Sequence, residues 1–322
     1  MKRTAYLFAI LILTLAMFTA SPIAAQQGNS SQDKAASRDT GKAVLWEPVD
    51  PTQLDLFNGP GGEAMRPDLS KIEFIKEETN GHNKKFRIKD GSGHTWVAKL
   101  GREAKPETAA VRLLYGLGYK TEVNYLVPSI TIPGKGTFEN VRMEARPDNV
   151  ERLEEWKWKD NPFVGTKELQ GLKMMMVFLS NWDVLDLQNK VLDVGGEKHY
   201  IVSDLGATFG KLGNNNLPVI YRLGRKTGSP EHYSKTELVR EVEDGEVKLA
   251  YKGKNRGLFK DFTVEDARWL AERFEKLSDA QIADAFRAAR YSPQEVATYV
   301  AAVRGKIREL QEAASENNLA GR

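Results

Sequence analysis

Two carboxylates and one amide are spaced so that a short hairpin would bring them together. Asp183 follows an apolar helical run, Asn189 precedes a short apolar strand, and Asp204 follows a second such strand. Gly195-Gly196 between the two strands is typical of a hairpin turn. Pairing across that turn sets Asn189 opposite Val202, two residues before Asp204. Oxygen ligands gathered in this way suit Mg²⁺, which takes one or two carboxylates and completes its shell with phosphate and water.

This order of residues resembles the catalytic core of the protein-kinase-like fold. The likeness is greatest to divergent members: phosphatidylinositol kinases, HipA-type toxin kinases and secreted atypical kinases. The resemblance implies that Asp183 orients the attacking hydroxyl, and that Asn189 and the Asp204-Leu205-Gly206 motif bind the metal. The chain lacks His-Arg-Asp, and Asn189 follows Asp183 by six residues where five is usual. Asp186 is therefore a rival for the base, although its offset of three fits less well. A polar loop with an ordinary hairpin is the plain alternative.

The elements that must position these residues begin with a predicted sheet. Alternating apolar residues predict three strands, at residues 72–75, 86–88 and 96–100. Their order resembles a kinase N-lobe, which implies that the loop with Gly81 covers the ATP phosphates and that Lys99 holds them. Gly81 would let the backbone approach phosphate, and Asn83 and Lys85 would donate to it. The full Gly-x-Gly-x-x-Gly motif is missing, and an ordinary surface lysine is the alternative for Lys99.

A helix is predicted from Lys105, with Pro106 in its first turn. The resemblance implies that Glu107 pairs with Lys99 and orients it, which predicts an approach of the Lys99 amine to Glu107 or Asp204 within about 4 Å. The alternative is that an acid at a helix start is favoured by the helix dipole alone.

Two further strands and a second helix complete the predicted cleft. The strands are expected at 125–132 and 138–145, and Arg146-Pro147 ends the second because proline cannot continue a ladder. The resemblance implies that the backbone of Met143 to Arg146 contacts adenine. Thr166 is the predicted cap of a helix that leads to the Asp183 loop.

The C-terminal third contains a basic segment and then three helices. Residues 207–236 are rich in Gly, Asn, Arg and Lys. The resemblance implies an activation segment that binds an acidic or phosphorylated acceptor, although a solvated loop explains the composition equally well. Capping residues predict the helix starts, at Thr263, Ser278 and Ser292.

Residues 1–25 have the pattern of a secretory signal. Lys2-Arg3 precede an apolar run at 7–18, and Ala24-Ala25 is a plausible cleavage site. The run is short for a membrane span, which needs ~20 residues, so an uncleaved anchor is the alternative. We therefore expect a periplasmic or secreted protein without a stable membrane span after cleavage. Residues 26–43 are small and polar, as in a disordered linker.

Composition excludes several classes of protein. The 322-residue chain is 41% hydrophobic, enough for one large domain or two lobes. Its 47 basic and 44 acidic residues, less Lys2 and Arg3, leave a net charge of +1, which does not suggest a nucleic-acid partner. There is no cysteine, so disulfides and thiolate chemistry are excluded, and the four histidines show no zinc spacing.

The sequence thus predicts an α+β, two-lobed protein-kinase-like fold. An antiparallel N-lobe sheet is expected over 44–146, a mainly helical C-lobe over 147–312, and a frayed tail over 313–322. The resemblance implies an exported phosphotransferase that uses ATP with Mg²⁺ or Mn²⁺. Its acceptor is left open among protein, lipid, sugar and small molecule. The alternatives are a pseudokinase or ligand-binding module, and a nucleotidyl (AMP) transferase on the same fold.

Overall fold

The structure is a computed structural model that describes residues 41–79, 83–213 and 224–315. The chain divides into two compact units, residues 1–40 and residues 41–322, and every described residue belongs to the second. The predicted signal peptide, most of the predicted linker and Gly81 lie outside the described residues. Within the described ranges, no helix is long and apolar enough to cross a membrane.

The first large element is a five-stranded antiparallel sheet of order β2-β3-β4-β6-β5. Its strands are β2 (Glu73–Glu78), β3 (Lys85–Lys89), β4 (Thr95–Lys99), β5 (Asn124–Ile132) and β6 (Gly136–Ala145). Alternation gives the sheet two unlike faces. Phe86, Ala98 and Met143 pair across three strands on a fully buried apolar face. One residue along each strand, Lys85 pairs with Lys99 and Lys99 with Arg142, so the opposite face carries charge.

Helix α1 (Ala104–Gly116) follows β4 and packs against β5 and β6. Most of its residues are buried, including Glu107 in its first turn. The helix ends before Gly118, whose φ of 92° lies in the left-handed region that glycine adopts readily. Glu107 therefore faces the interior and the charged face of the sheet rather than solvent.

A second sheet has the order β1-β9-β8-β7. It comprises β1 (Lys42–Val44), β7 (Val150–Arg152), β8 (Asn189–Val194) and β9 (Glu197–Val202). The predicted hairpin register is confirmed, with Val194 opposite Glu197 and Asn189 opposite Val202. Strand β1 pairs in parallel with β9 and begins at Lys42, so two residues of the predicted linker belong to a strand.

The rest of the second half is mainly helical. It contains α2 (Lys167–Phe178), a short α3 (Pro230–Tyr233), α4 (Val264–Glu275), α5 (Asp279–Ala288) and α6 (Pro293–Ser315). Thr166, Thr263 and Ser278 accept backbone hydrogen bonds at the starts of α2, α4 and α5, as predicted. A small sheet of β10 (Val239–Glu243), β11 (Glu246–Leu249) and β12 (Phe262–Thr263) was not predicted.

The predicted class is confirmed: α+β, with an antiparallel sheet in the N-terminal part and helices in the C-terminal part. Each part has its own apolar core, one under the five-stranded sheet and one among the helices and the second sheet. Helix α6 extends to Ser315, three residues past the predicted end of the domain.

Candidate active site

A cleft of about 450 Å³ lies between the charged face of the five-stranded sheet and the β8–β9 hairpin. Lys85, Val97 and Lys99 line it from the sheet. Gln188 and Asp204 line it from the two ends of the hairpin. The structure thus brings together residues from opposite ends of the predicted site, which are about 100 positions apart in the sequence.

Lys99 is fixed by two buried carboxyl groups. Its Nζ lies 3.9 Å from Glu107 Oε1, as predicted, and 2.6 Å from Glu144 Oε2. The side chain is 18% exposed. Burial and the nearby Arg142 would lower the pKa of Lys99, but Glu107 and Glu144 outweigh them and hold it above its usual value. Lys99 therefore remains a cation, and its main anchor is Glu144, which was not singled out from the sequence.

Glu144 and Arg142 are fully buried on the same face of β6. Arg142 lies 2.5 Å from Glu144 and 2.9 Å from Glu107, and Arg146 pairs with the other oxygen of Glu144. Burial would raise the pKa of Glu144, but Arg146, Lys99 and Arg142 hold it well below the usual range. For Glu107, burial prevails over Arg142 and Lys99 and raises the pKa to about 8. Glu144 is thus the ionised carboxylate of this network near neutral pH.

Arg152 of β7 connects residues on the two sides of the cleft. Arg152 donates to Glu122 at 2.7 Å and to Ser203 Oγ at 3.3 Å, and Ser203 lies beside Asp204.

Strand β6 pairs with both β4 and β5, and Met143 is buried in the sheet core. The predicted backbone contacts of Met143 to Arg146 with adenine stay a prediction. The ladders pair Met143 and Glu144 on both sides, and the amides of Ala145 and Arg146 donate to the carbonyl oxygens of Val123 and Thr95. Glu144 and Arg146 contribute side chains to the cleft.

Asp204 offers an exposed carboxylate to the cleft. Within the described ranges, neither a hydrogen bond nor an ion pair holds its side chain. The preceding amide, that of Ser203, donates to the carbonyl oxygen of Gln188 at 2.8 Å, so the two hairpin ends are adjacent. A Cβ on Gly206 would lie 2.6 Å from Glu103 Cβ, so glycine allows this segment to pack on the start of α1.

Asn189 differs in its surroundings from its two neighbours in the sequence. Gln188 and Lys190 line the cleft, whereas Asn189 is fully buried and its Nδ2 donates to the Trp156 carbonyl oxygen at 3.0 Å. Asn189 Oδ1 is buried without a hydrogen-bond partner in the described part of the chain. Gln188 follows Asp183 by five residues, the usual offset in the resembled family. That spacing was the signal by which sequence reasoning could have found Gln188.

Asp183 contacts Gln188 and a lysine from a distant loop. Gln188 Nε2 donates to Asp183 Oδ2 at 3.0 Å, and Lys254 Nζ forms an ion pair with Asp183 Oδ1. The amide of Lys254 also donates to the Trp182 carbonyl oxygen at 2.9 Å. The rival residue, Asp186, accepts a hydrogen bond from the Trp158 amide at 3.0 Å, a contact that holds the chain in place.

Backbone hydrogen bonds tie the Asp183 loop to the segment that follows Asp204. The amide of Trp182 donates to Ala207, and that of Phe209 donates to Leu179 at 2.8 Å. Ser180 and Phe209 have φ values of 53° and 55°, a left-handed conformation that is costly for such residues. The surrounding packing must therefore hold both segments in this arrangement.

Of the other residues predicted to bind phosphate, the structure describes Lys85 and Asn83. Lys85 lines the cleft, and burial together with Lys99 lowers its pKa against the opposing charge of Asp204. Asn83 Nδ2 donates to Glu103 Oε2 at 2.6 Å, which ties the end of the loop to the start of α1.

The cleft offers few oxygen ligands for a divalent metal among the described residues. In the described part of the chain, no three His, Asp or Glu side chains form a group that could hold a metal by themselves. Asp204 with Asn189 Oδ1, which has no hydrogen-bond partner in those ranges, is nevertheless a fitting set for Mg²⁺, because this ion takes its other ligands from phosphate and water. Gln188 Oε1, in contrast, already accepts a hydrogen bond from the Leu185 amide at 3.1 Å.

No family model matches the chain, and no curated protein sequence matches it. Among solved structures, the chain is similar to the Helicobacter pylori proinflammatory kinase CtkA. The TM-score is 0.47 and the sequence identity 10%, over 77% of this chain and 97% of that one. The similarity concerns the course of the chain and relates no individual residues.

Proposed function

We propose that the cleft binds ATP with Mg²⁺ or Mn²⁺ and that the protein transfers the terminal phosphate to an acceptor hydroxyl. One observation carries this proposal. The Lys99 ammonium, held by Glu144 and Glu107, lines the same cleft as the exposed carboxylate of Asp204. A fixed cation facing a carboxylate across a cleft is the arrangement that a metal–phosphate complex requires.

Each side of the cleft has a separate task in this proposal. Lys99 and Lys85 bind the phosphate oxygens, and Asp204 holds the metal together with Asn189 Oδ1, which is buried without a hydrogen-bond partner among the described residues. The metal, when bound, neutralises charge on the phosphates. Val97 from the sheet and the exposed Leu187 from the hairpin side supply apolar surface for the base.

Asp183 is proposed to accept a hydrogen bond from the acceptor hydroxyl and thereby orient it. Gln188 fixes one carboxylate oxygen, and Lys254 adds positive charge beside the other. The hydroxyl oxygen forms the new bond to phosphorus, the bond from phosphorus to the leaving ADP oxygen breaks, and the hydroxyl proton passes to the Asp183 carboxylate. The protein supplies position and charge neutralisation rather than covalent chemistry.

A second candidate is nucleotide binding without transfer, as in a pseudokinase. It is favoured by the contacts of Asp183, since both of its oxygens already have partners, Lys254 and Gln188. Such a protein would bind the nucleotide through Lys99 and Asp204 and would leave it intact.

The test is incubation of the full chain with ATP labelled at the γ or α phosphorus, with Mg²⁺ or Mn²⁺. Label transferred from the γ position alone supports the proposal, whereas label from the α position indicates AMP transfer. Binding without transfer of either label favours the second candidate. Lys99→Met should abolish both binding and transfer. The matched control is Lys135→Met, because Lys135 pairs with Glu77 and neither residue lines the cleft.

A further inference from the structure

A second pocket, of about 290 Å³, shares no lining residue with the nucleotide cleft. Its wall has three parts. They are residues 211–213, which come after the Asp204-Leu205-Gly206 motif, His232 of α3 with residues 235–237 that follow it, and Ala250 with Lys252. We call it the basic pocket, because Lys211, Lys235 and Lys252 line it, whereas Glu237 is the one acidic residue among its described lining residues.

The lysines of the basic pocket differ in their present partners. Lys235 pairs with Glu231 at 2.8 Å, an exposed contact on one helical turn that contributes little in water. Lys211 and Lys252 have no ion pair with the described part of the chain. Two ammonium groups of the pocket are thus available to an incoming anion.

A buried cation lies behind the pocket wall. Lys306 of α6 is 2% exposed, and its ammonium donates to the carbonyl oxygen of Thr236, a lining residue, at 2.5 Å. Its other close partner is the face of the Tyr233 ring, 5.0 Å away. Burial lowers the pKa of Lys306 to about 8, although Glu309 and Glu237 oppose that shift. An anion in the pocket would offset the cost of this buried charge.

The basic pocket lies next to the proposed catalytic carboxylate. Lys252 is two residues from Lys254, which pairs with Asp183, so their backbones are at most about 7 Å apart. Gly253 between them is buried, and a Cβ there would lie 2.8 Å from Trp182 Cα. The segment that forms one pocket wall therefore touches the Asp183 loop directly.

We propose that the basic pocket binds a phosphate group on the acceptor, so that the acceptor is an already phosphorylated molecule. Converging cations favour a dianionic phosphate monoester over a single carboxylate, because each adds a charge-assisted contact. The acceptor would place this phosphate at Lys211 and Lys252 and its free hydroxyl near Asp183. This inference rests on the proposed function for its catalytic part, whereas the anion site can be tested alone.

The site itself is tested by calorimetric titration of the full chain with O-phosphoserine, without nucleotide or metal. The double variant Lys211→Met/Lys252→Met should weaken binding by about tenfold for each lysine. Glu237→Gln should strengthen binding. Lys248→Met should leave it unchanged, because Lys248 is a partly exposed lysine that pairs with Glu241 at 3.2 Å and does not line the pocket. Equal affinity in the wild type and the double variant, or no binding at millimolar phosphoserine, would overturn the site.

The acceptor role is tested with γ-labelled ATP and two peptides that differ only in whether a serine near the target hydroxyl is phosphorylated. The phosphorylated peptide should have a KM at least about tenfold lower at similar kcat, and the double variant should remove this difference. Equal KM values would refute the acceptor assignment. Tighter binding of the peptide than of free phosphoserine would identify a peptide acceptor, and the reverse a small molecule. Phosphoserine binding without transfer to any acceptor would contradict the proposed function and leave the anion site in place.

Discussion

Substitution of Glu144 by glutamine should unbalance the buried charges of the cleft. The carboxylate of Glu144 contacts Arg142 at 2.5 Å, Lys99 at 2.6 Å and Arg146, and it is fully buried. Removal of one partner from a buried ion pair costs about 3–5 kcal/mol, because the other charge is left uncompensated. Glutamine keeps one acceptor oxygen, so we expect a loss of about 3 kcal/mol in the free energy of unfolding at pH 7. The melting temperature should fall by about 6 °C, at about 2 °C per kcal/mol for a unit of this size.

Glu107→Gln is the matched control in the same network. Burial raises the pKa of Glu107 to about 8, so this carboxyl group is mostly neutral at pH 7 and glutamine mimics it. A raised pKa gives a stability contribution that is complete below pH 4.5, the unfolded value, and is lost as the pH rises to about 8. Relative to the wild type, Glu107→Gln should therefore gain stability over this range, by at most about 1.4 kcal/mol per pH unit.

The two variants should thus depend on pH in opposite directions. The pKa of Glu144 is depressed, so its contribution is present above pH 4.5 and is lost as the pH falls below that value. Urea unfolding followed by circular dichroism at pH 3, 5, 7 and 9 measures both effects. Glu231→Gln, which breaks the exposed pair with Lys235, should leave the free energy of unfolding unchanged within error. Equal losses in Glu144→Gln and Glu107→Gln at pH 7 would refute the assigned charge states.

The remaining predictions concern the site. Asp204→Asn should abolish the thermal shift given by ATP with Mg²⁺, whereas Asp186→Asn should retain most of it, and equal losses would show that the wrong carboxylate has been assigned. Asp183→Ala should keep nucleotide binding and lower transfer by about 10²–10⁴-fold, and unchanged transfer would contradict its role. Lys254→Met should lower kcat with little change in the KM for ATP, and Lys254→Arg should restore part of it. A matching rise in that KM would instead place Lys254 in nucleotide binding.

The sequence predicted the elements with local patterns well. Glycine at the hairpin turn, alternation in the first sheet and capping residues at the helix starts are local signals, and the structure follows them. The strands β10 to β12 were missed because they are short and alternate weakly between charged residues. Strand β1 was missed because its partner, β9, lies more than 150 residues away.

The candidate site was predicted less completely, because its charges meet only in three dimensions. Glu144 lies on a predicted strand, but no local signal indicates that Lys99 would be its partner. Lys254 reaches Asp183 from a loop that has no motif. Gln188 follows Asp183 by five residues, which is the usual spacing in the resembled family. Asparagine is the usual residue type at that position, however, so Asn189 was predicted instead.

The most direct test of the central claim is a crystal structure of the full chain with a non-hydrolysable ATP analogue and Mn²⁺. The account predicts an anomalous peak for the metal within about 2–2.5 Å of a carboxylate oxygen of Asp204, a phosphate oxygen within hydrogen-bonding distance of Lys99 Nζ, and the base between Val97 and Leu187. A nucleotide bound elsewhere, or a metal site that does not include Asp204, would contradict it.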